Sequence, residues 1–277
     1  MIIDTHAHLN HPLFNEDRDN VIKRCLINDV WVINVGTNIK TSKEVVFLAE
    51  ENKNFFAATG LHPMNLDTGV LREKYKELNE EEMENVFDYE EYKKIASSEK
   101  VVAIGEIGLD YYWKPKTTKR KQIFKEKQKE LLLQQLKLAK ELDLPVVFHC
   151  RMANNDLIEL LKSNSSLRPK SAVMHSFVGS LEELKQYLDF GFYIGFNGII
   201  FKSLEGINFN EIIKNTPLDR ILLETDCPSL SPPESGIKRN EPIFVKQILK
   251  KIAETRKADI HKLSKIIIEN AKKLFKI

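Results

Sequence analysis

The stretch VVAIGEIGLD, residues 101–110, opens with apolar, mostly β-branched residues and ends in two carboxylates set among glycines. Seven other short runs open in the same way: Met1–Thr5, Val30–Val35, Phe55–Thr59, Pro145–His149, Ala172–His175, Phe192–Phe196 and Arg220–Thr225. With Val101–Glu106 they make eight candidate strands. Each is nearly continuously apolar rather than alternating, as a strand covered on both faces must be. Between them, Asp17–Asp29, Lys43–Asn52, Arg120–Leu142 and Leu181–Phe190 carry apolar residues at three- and four-residue spacing with charged residues opposite, the period of an amphipathic helix. Strand and helix repeated eight times predict an α/β fold in which a parallel sheet closes into a (β/α)₈ TIM barrel.

A chain of 277 residues could hold one such barrel or two smaller domains, but no linker divides it, so residues 1–277 are expected to form one domain. Pro242–Thr255 and Asp259–Phe275 read as two more helices, enough for the eighth barrel helix and a C-terminal cover. Apolar residues at 42% and charged residues at 30% fit a soluble protein with a sizeable core and exclude a disordered or fibrous one. The start, MIIDTHAHLN, has no basic leader, and about 20 uncharged apolar residues follow one another nowhere, which points to an intracellular protein, cytoplasmic or nuclear. Cys25, Cys150 and Cys227 show no C-x-x-C spacing, which argues against disulfides and a cysteine-rich zinc site. A net charge of +2 excludes a wholly basic coat for nucleic acid and leaves room for a local patch. Two segments read as loop insertions, the Glu-rich Asp67–Ser98 and the basic Lys114–Lys121 (KPKTTKRK); both read as solvated surface, and for the basic one, which follows a strand end, the alternative is a hold on a phosphate backbone.

The strand ends are unusually polar. The first closes on Thr5-His6-Ala7-His8, the third on Gly60-Leu61-His62, the fourth on Glu106 and Asp110, the fifth on His149-Cys150-Arg151, the sixth on His175 and the eighth on Glu224-Thr225-Asp226. One histidine at a strand end is more often structural than a ligand. Five of seven at such ends is a different matter, because a barrel brings all its strand C-termini to one mouth, where such folds place their chemistry. His6 and His8, two apart on an extended strand, project to one side and can grip one cation. His6, His8, Glu106, His149, His175 and Asp226 thus form a candidate donor set for two divalent ions sharing Glu106. One ion would take His6, His8, Glu106 and Asp226, the other Glu106, His149 and His175. Imidazole with carboxylate suits zinc, manganese, nickel or iron, and magnesium with water in the remaining positions, and the sequence does not choose among them.

These residues resemble the TatD-type DNases of the metal-dependent hydrolase superfamily. The matching pieces are IDTHAHL (3–9), VGTN (35–38), TGLHP (59–63), AIGEIGLDYY (103–112), QLKLAKELDLPVVFHCR (135–151), MHSFVGS (174–180), GFYIGFNG (191–198), LLETDCP (222–228) and RNEP (239–242), spread over the whole chain. The resemblance implies a metal-dependent deoxyribonuclease, in several members a 3′→5′ exonuclease preferring single strands, with two divalent ions on the same six residues. The stretch at 67–98 is longer than in compact members, and Cys227 stands where alanine is common.

For such an enzyme, Asp226 is expected to take the proton of the attacking water, with Glu106 between the ions. His62 would donate to a phosphoryl oxygen or the leaving group, and Arg151 would clamp the phosphate. Tyr111, Tyr112 and Trp113 are candidates for stacking on bases. Glu224 and Asp110 would orient ligating histidines, and Arg239 and Glu241 would pin the last loop by ion pairs. DNA, single-stranded or at its 3′ ends, is the expected partner, and the chain is expected to act as a monomer away from membranes. The nearest rival is an amidohydrolase or deaminase acting on a C–N bond. Binuclear members of that group bridge their metals with a carbamylated lysine where this chain has Glu106. A non-catalytic scaffold on a dead barrel is disfavoured by the complete donor set.

Overall fold

The computed structural model describes residues 1–71, 83–233 and 239–277. Its eight strands are β1 (Ile2–Ala7), β2 (Val30–Val35), β3 (Phe55–Thr59), β4 (Val101–Asp110), β5 (Val146–Arg151), β6 (Ala172–Met174), β7 (Tyr193–Phe196) and β8 (Ile221–Leu223). They pair in chain order, each parallel to the next. The circle closes just beyond β8, where Cys227 bridges Ala7 in parallel and the Asp226 N–H donates to the His6 carbonyl at 2.9 Å. The predicted barrel therefore stands. β4 runs four residues beyond its expected end, to Asp110, after a register shift between Ile104 and Ile107. β6 and β8 stop before the residues that were expected to end them, and soon after each the backbone turns left-handed, at Ser176 (φ 47°) and Asp226 (φ 57°).

Nine helices lie among the described residues: α1 (Arg18–Ile27), α2 (Ile39–Glu50), α3 (Tyr89–Ile95), α4 (Thr118–Glu141), α5 (Asn154–Ser163), α6 (Leu181–Asp189), α7 (Phe209–Asn215), α8 (Val245–Arg256) and α9 (Ile260–Phe275). α2 begins four residues earlier than its apolar period suggests because the Asn38 side chain accepts from the Thr41 N–H and caps it. Thr117 and Ser180 start α4 and α6 in the same manner. The basic run 114–121 is thus half loop and half the first turn of α4. Part of the acidic stretch is packed rather than solvated: α3 buries Tyr92 and Ile95, and the Tyr92 hydroxyl donates to Glu84 at 3.1 Å. Residues 72–82 of that stretch lie outside the described residues.

Ile3, Ile33, Ala58, Val102, Val147, Val173, Tyr193 and Leu222, one from each strand, meet in one buried cluster, which only the inside of a closed barrel permits. Ala271, Leu274 and Phe275 of α9 join it, so the last helix covers the end where the strands begin. The other strand faces pack against the outer helices. No helix among the described residues is long and apolar enough to cross a membrane.

Candidate metal centre

At the opposite end, the strand tips gather histidines and carboxylates too close together to be at ease. His6 and His8 point their Nε2 atoms at each other at 3.2 Å. The His8 Nδ1 lies 2.8 Å from the Val35 carbonyl, so it carries a proton there and, in the neutral ring, Nε2 presents a lone pair. That lone pair faces Asp226 Oδ1 at 3.4 Å. Asp226 stands in the left-handed region at φ 57°, where aspartate is among the tolerated residues, and this turn aims its carboxylate across the seam at β1.

His175 is built likewise. Its Nδ1 meets Glu224 Oε2 at 2.9 Å, leaving Nε2 to face Glu106 at 3.8 Å and Asp226 at 3.9 Å. Glu224 is fully buried and fixed by a second bond from the Ser176 N–H at 2.9 Å, while its Oε1 has no hydrogen-bond partner. Space for that carboxylate exists because residue 195 is glycine: a Cβ there would lie 2.0 Å from Glu224 Oε1. His6 completes the group, stacked on His175 with ring centres 3.5 Å apart and its Nε2 3.5 Å from Glu106 Oε2.

Lone pairs and anionic oxygens facing one another in a buried site repel unless a proton or a cation lies between them. The titration behaviour shows the pull. Burial alone would raise the Glu106 carboxyl, but His62, His149, His175 and His6 hold it well below the usual carboxylate range. Burial opposes charge on His175, yet Glu224 and Glu106 push it up to about 9. His6, His8 and Asp226 form one set of donors close enough to share an ion, and His6, Glu106 and His175 form another. Both sets suit a divalent cation in place of those protons.

His149 takes a different place from the one expected beside His175. Its Nδ1 lies 2.6 Å from Glu106 Oε1 and its Nε2 3.0 Å from Asp110 Oδ2. Two acceptors require two donors, so with no metal bound His149 is an imidazolium, pushed up to about 10 by Glu106 and Asp110 against the opposing effect of burial. His62, Asp110 and His149 make a third group of donors within ligating reach of one another. Asp110 is therefore a candidate ligand as well as an orienting partner, a role the sequence reading missed. The signal was present: Asp110 lies four residues beyond Glu106 on an extended strand, the parity of a shared side.

His62 accepts the Met64 N–H on Nδ1 at 3.2 Å, which leaves its proton on Nε2, facing Glu106. Burial and the neighbouring charge of His149 lower it to about 4. At neutral pH it is thus an uncharged hydrogen-bond donor at the mouth of the barrel.

Two buried glutamines of α4 brace this region. Gln128 accepts from the Asp110 N–H at 2.9 Å and donates to the Asp110 carbonyl at 3.1 Å. Gln135 does the same for Leu61, at 2.8 and 2.9 Å. At the rim, the Arg151 guanidinium lies 3.7 Å from the centre of the Tyr112 ring, and both are exposed. Tyr111 is no stacking platform: it is buried, and its hydroxyl donates to Asp156 at 2.9 Å, tying α4's neighbourhood to α5. Arg239 spans Asp17 at 2.6 Å and Glu241 at 2.9 Å, and Arg24 meets Glu241 at 2.9 Å, so the loop before α8 is pinned to α1 as the sequence suggested.

A parallel barrel with imidazole and carboxylate donors at the C-terminal mouth of its strands defines a class, the metal-dependent barrel hydrolases. Within that class, the chain belongs to the TatD related DNase family, whose model matches residues 3–276. It is 36% identical over 279 residues to the metal-dependent hydrolase YabD of Bacillus subtilis, with both chains covered in full. It is 31% identical to the 3′-5′ ssDNA/RNA exonuclease TatD of Escherichia fergusonii, covering all of this chain and 99% of that one. The crystal structure of the TatD homologue YjjV of Escherichia coli superposes with a TM-score of 0.82 at 30% identity, over all of this chain and 98% of the other. An amidohydrolase from Saccharomyces cerevisiae, at 20% identity and a TM-score of 0.74, shares the fold.

Proposed function

We propose that this hydrolase is a deoxyribonuclease that removes nucleotides from the 3′ ends of single-stranded DNA with two divalent ions, Mg²⁺, Mn²⁺ or Zn²⁺. The observation that carries the reading is the convergence of His6, His8, Glu106, His175 and Asp226 on overlapping sets of donors, with His149 and Asp110 adjoining through Glu106. Ions held there would lower the pKa of a bound water and offset charge on the phosphoryl oxygens.

The chain's own residues supply the rest. The Asp226 carboxylate, kept ionised by His8, His175 and His6 against the pull of burial, is the base for the attacking water. Glu106 holds the donor sets together at their centre. His62 offers its Nε2–H to the phosphoryl group. Arg151 presents a flat guanidinium at the rim and, stacked on Tyr112, forms a surface for a phosphate and the base beside it. Lys119, Arg120 and Lys121 crowd the first turn of α4, at the unfavourable positive end of the helix dipole, an arrangement that an anionic backbone relieves. A carboxylate at the end of the fourth strand, with no lysine in it, argues against the C–N hydrolase alternative.

The test is degradation of end-labelled single-stranded DNA, double-stranded DNA and RNA with Mg²⁺, Mn²⁺ or chelator, resolved by product length. A metal-dependent ladder that recedes from the 3′ end of single-stranded DNA is expected. No cleavage of any substrate with any metal would overturn the reading, and internal cuts would overturn its exonuclease part.

A further inference from the structure

The end of the barrel away from the metal centre carries a second feature. A cavity of about 460 Å³ opens between the C-terminal turn of α4, the turn leading into β5, the segment before β6 and the last turn of α9. Its floor is apolar, with Leu136, Ala139, Leu144, Pro145, Leu167 and Leu274. Its edge carries five cations, Lys140, Arg168, Lys170, Lys273 and Lys276, against one carboxylate, Asp143. That volume is within the range of small-ligand sites, about 300–1,000 Å³.

Two of the five cations are engaged and three keep their charge. Lys276 pairs with Asp143 at 3.0 Å, and Lys140 donates to the Ser166 carbonyl at 3.0 Å. The Arg168 guanidinium rests on the Phe190 ring, 4.7 Å from its centre, which holds the plane in place and leaves its charge unneutralised. Lys170 and Lys273 hydrogen-bond no group among the described residues. Asp143 answers Lys276 and, at longer range, Lys170, so the edge as a whole keeps an excess of positive charge that suits an anion. The apolar floor asks for a ligand with a non-polar face beneath its charge.

We propose that this cavity binds a nucleoside phosphate, its base on the leucine and proline floor and its phosphates among Arg168, Lys170 and Lys273. The site lies where β5 and β6 begin, so its ligand makes no contact with the metal centre where they end, and it does not depend on which substrate that centre hydrolyses.

Calorimetric titration of the full chain in chelator with ADP, adenosine and inorganic pyrophosphate tests this. ADP should bind saturably to the wild type and to Asp226→Asn alike, and more tightly than either adenosine or pyrophosphate. Lys170→Glu/Lys273→Glu should weaken it at least about tenfold. Lys170→Gln/Lys273→Gln, which only neutralises two exposed side chains, should show a smaller loss in the same direction with an unchanged melting temperature. Absence of saturable ADP binding would overturn the proposal, as would equal affinity in the double-Glu variant. Loss confined to Asp226→Asn would place the nucleotide in the metal centre instead, and pyrophosphate as tight as ADP would remove the role of the floor.

Discussion

Asp226 shows how much one backbone dihedral can decide. Its left-handed turn brings a carboxylate from beyond β8 against histidines from β1 and β6. Asp226→Asn preserves the shape and removes the charge, so hydrolysis should fall by more than about a hundredfold while the circular dichroism spectrum stays as in the wild type. Activity within a few fold of wild type would sink the assignment. Gly195 acts one step further out: a methyl group there collides with Glu224, which holds His175 by its Nδ1. Gly195→Ala should weaken Mn²⁺ binding about 10- to 100-fold, read by titration calorimetry, and an unchanged affinity would show that Glu224 does not position the ligand. Residue chemistry was the part most open to reading from sequence, since histidines and carboxylates at strand ends announce themselves. Orientation was not. Tyr111 and Tyr112 are neighbours with opposite fates, one buried against α5 and one exposed under Arg151, and adjacency alone cannot say which way each ring turns.

Among the elements, the strands were legible because burial on both faces forces near-continuous apolar runs, and β2 and β3 match their expected bounds. Their ends were less so, because the extension of β4 depends on a register shift against β5 that no local pattern signals. The buried glutamines of α4 could not be seen at all. In a helix rich in Lys, Glu and Gln they look like surface residues, yet each closes a two-way bond with a strand-end peptide, Asp110 or Leu61. α4 is thus a splint for the strand ends that carry Asp110 and His62. Gln135→Leu should destabilise the fold by about 2–6 kcal/mol, because the Leu61 N–H and carbonyl are left buried without partners, each costing about 1–3 kcal/mol. Urea unfolding measures this, and a loss below about 0.5 kcal/mol would mean that the strand end relaxes to find other partners.

Over the whole molecule, the metal-free state is tied together by protons. His149 and His175, pushed up to about 10 and about 9, hold protons in the folded chain that unfolded imidazoles release near 6.5. Buried Asp4, raised to about 8 chiefly by desolvation, does the same for a carboxyl that ordinarily ionises near 4. In each case the folded state binds more protons than the unfolded one, so unfolding becomes easier as pH rises from neutrality to about 10. In chelator the melting temperature should therefore be lower at pH 10 than at pH 7, and added Mn²⁺ should stabilise most at the alkaline end, where protons no longer compete for the imidazoles. A melting temperature that climbs over that interval would contradict this. The barrel's closure carries one more implication. Asp4 and Thr225, hydrogen-bonded across the seam, stand 221 positions apart, and beside them Asp226 meets the histidines of β1. Until the segment carrying Asp226 has been made, His6 and His8 have no such counterpart to meet. A chain ending at Asn215 should retain no manganese on a desalting column and cut no DNA. The donor set would then be complete only once the segment carrying Asp226 has folded against β1.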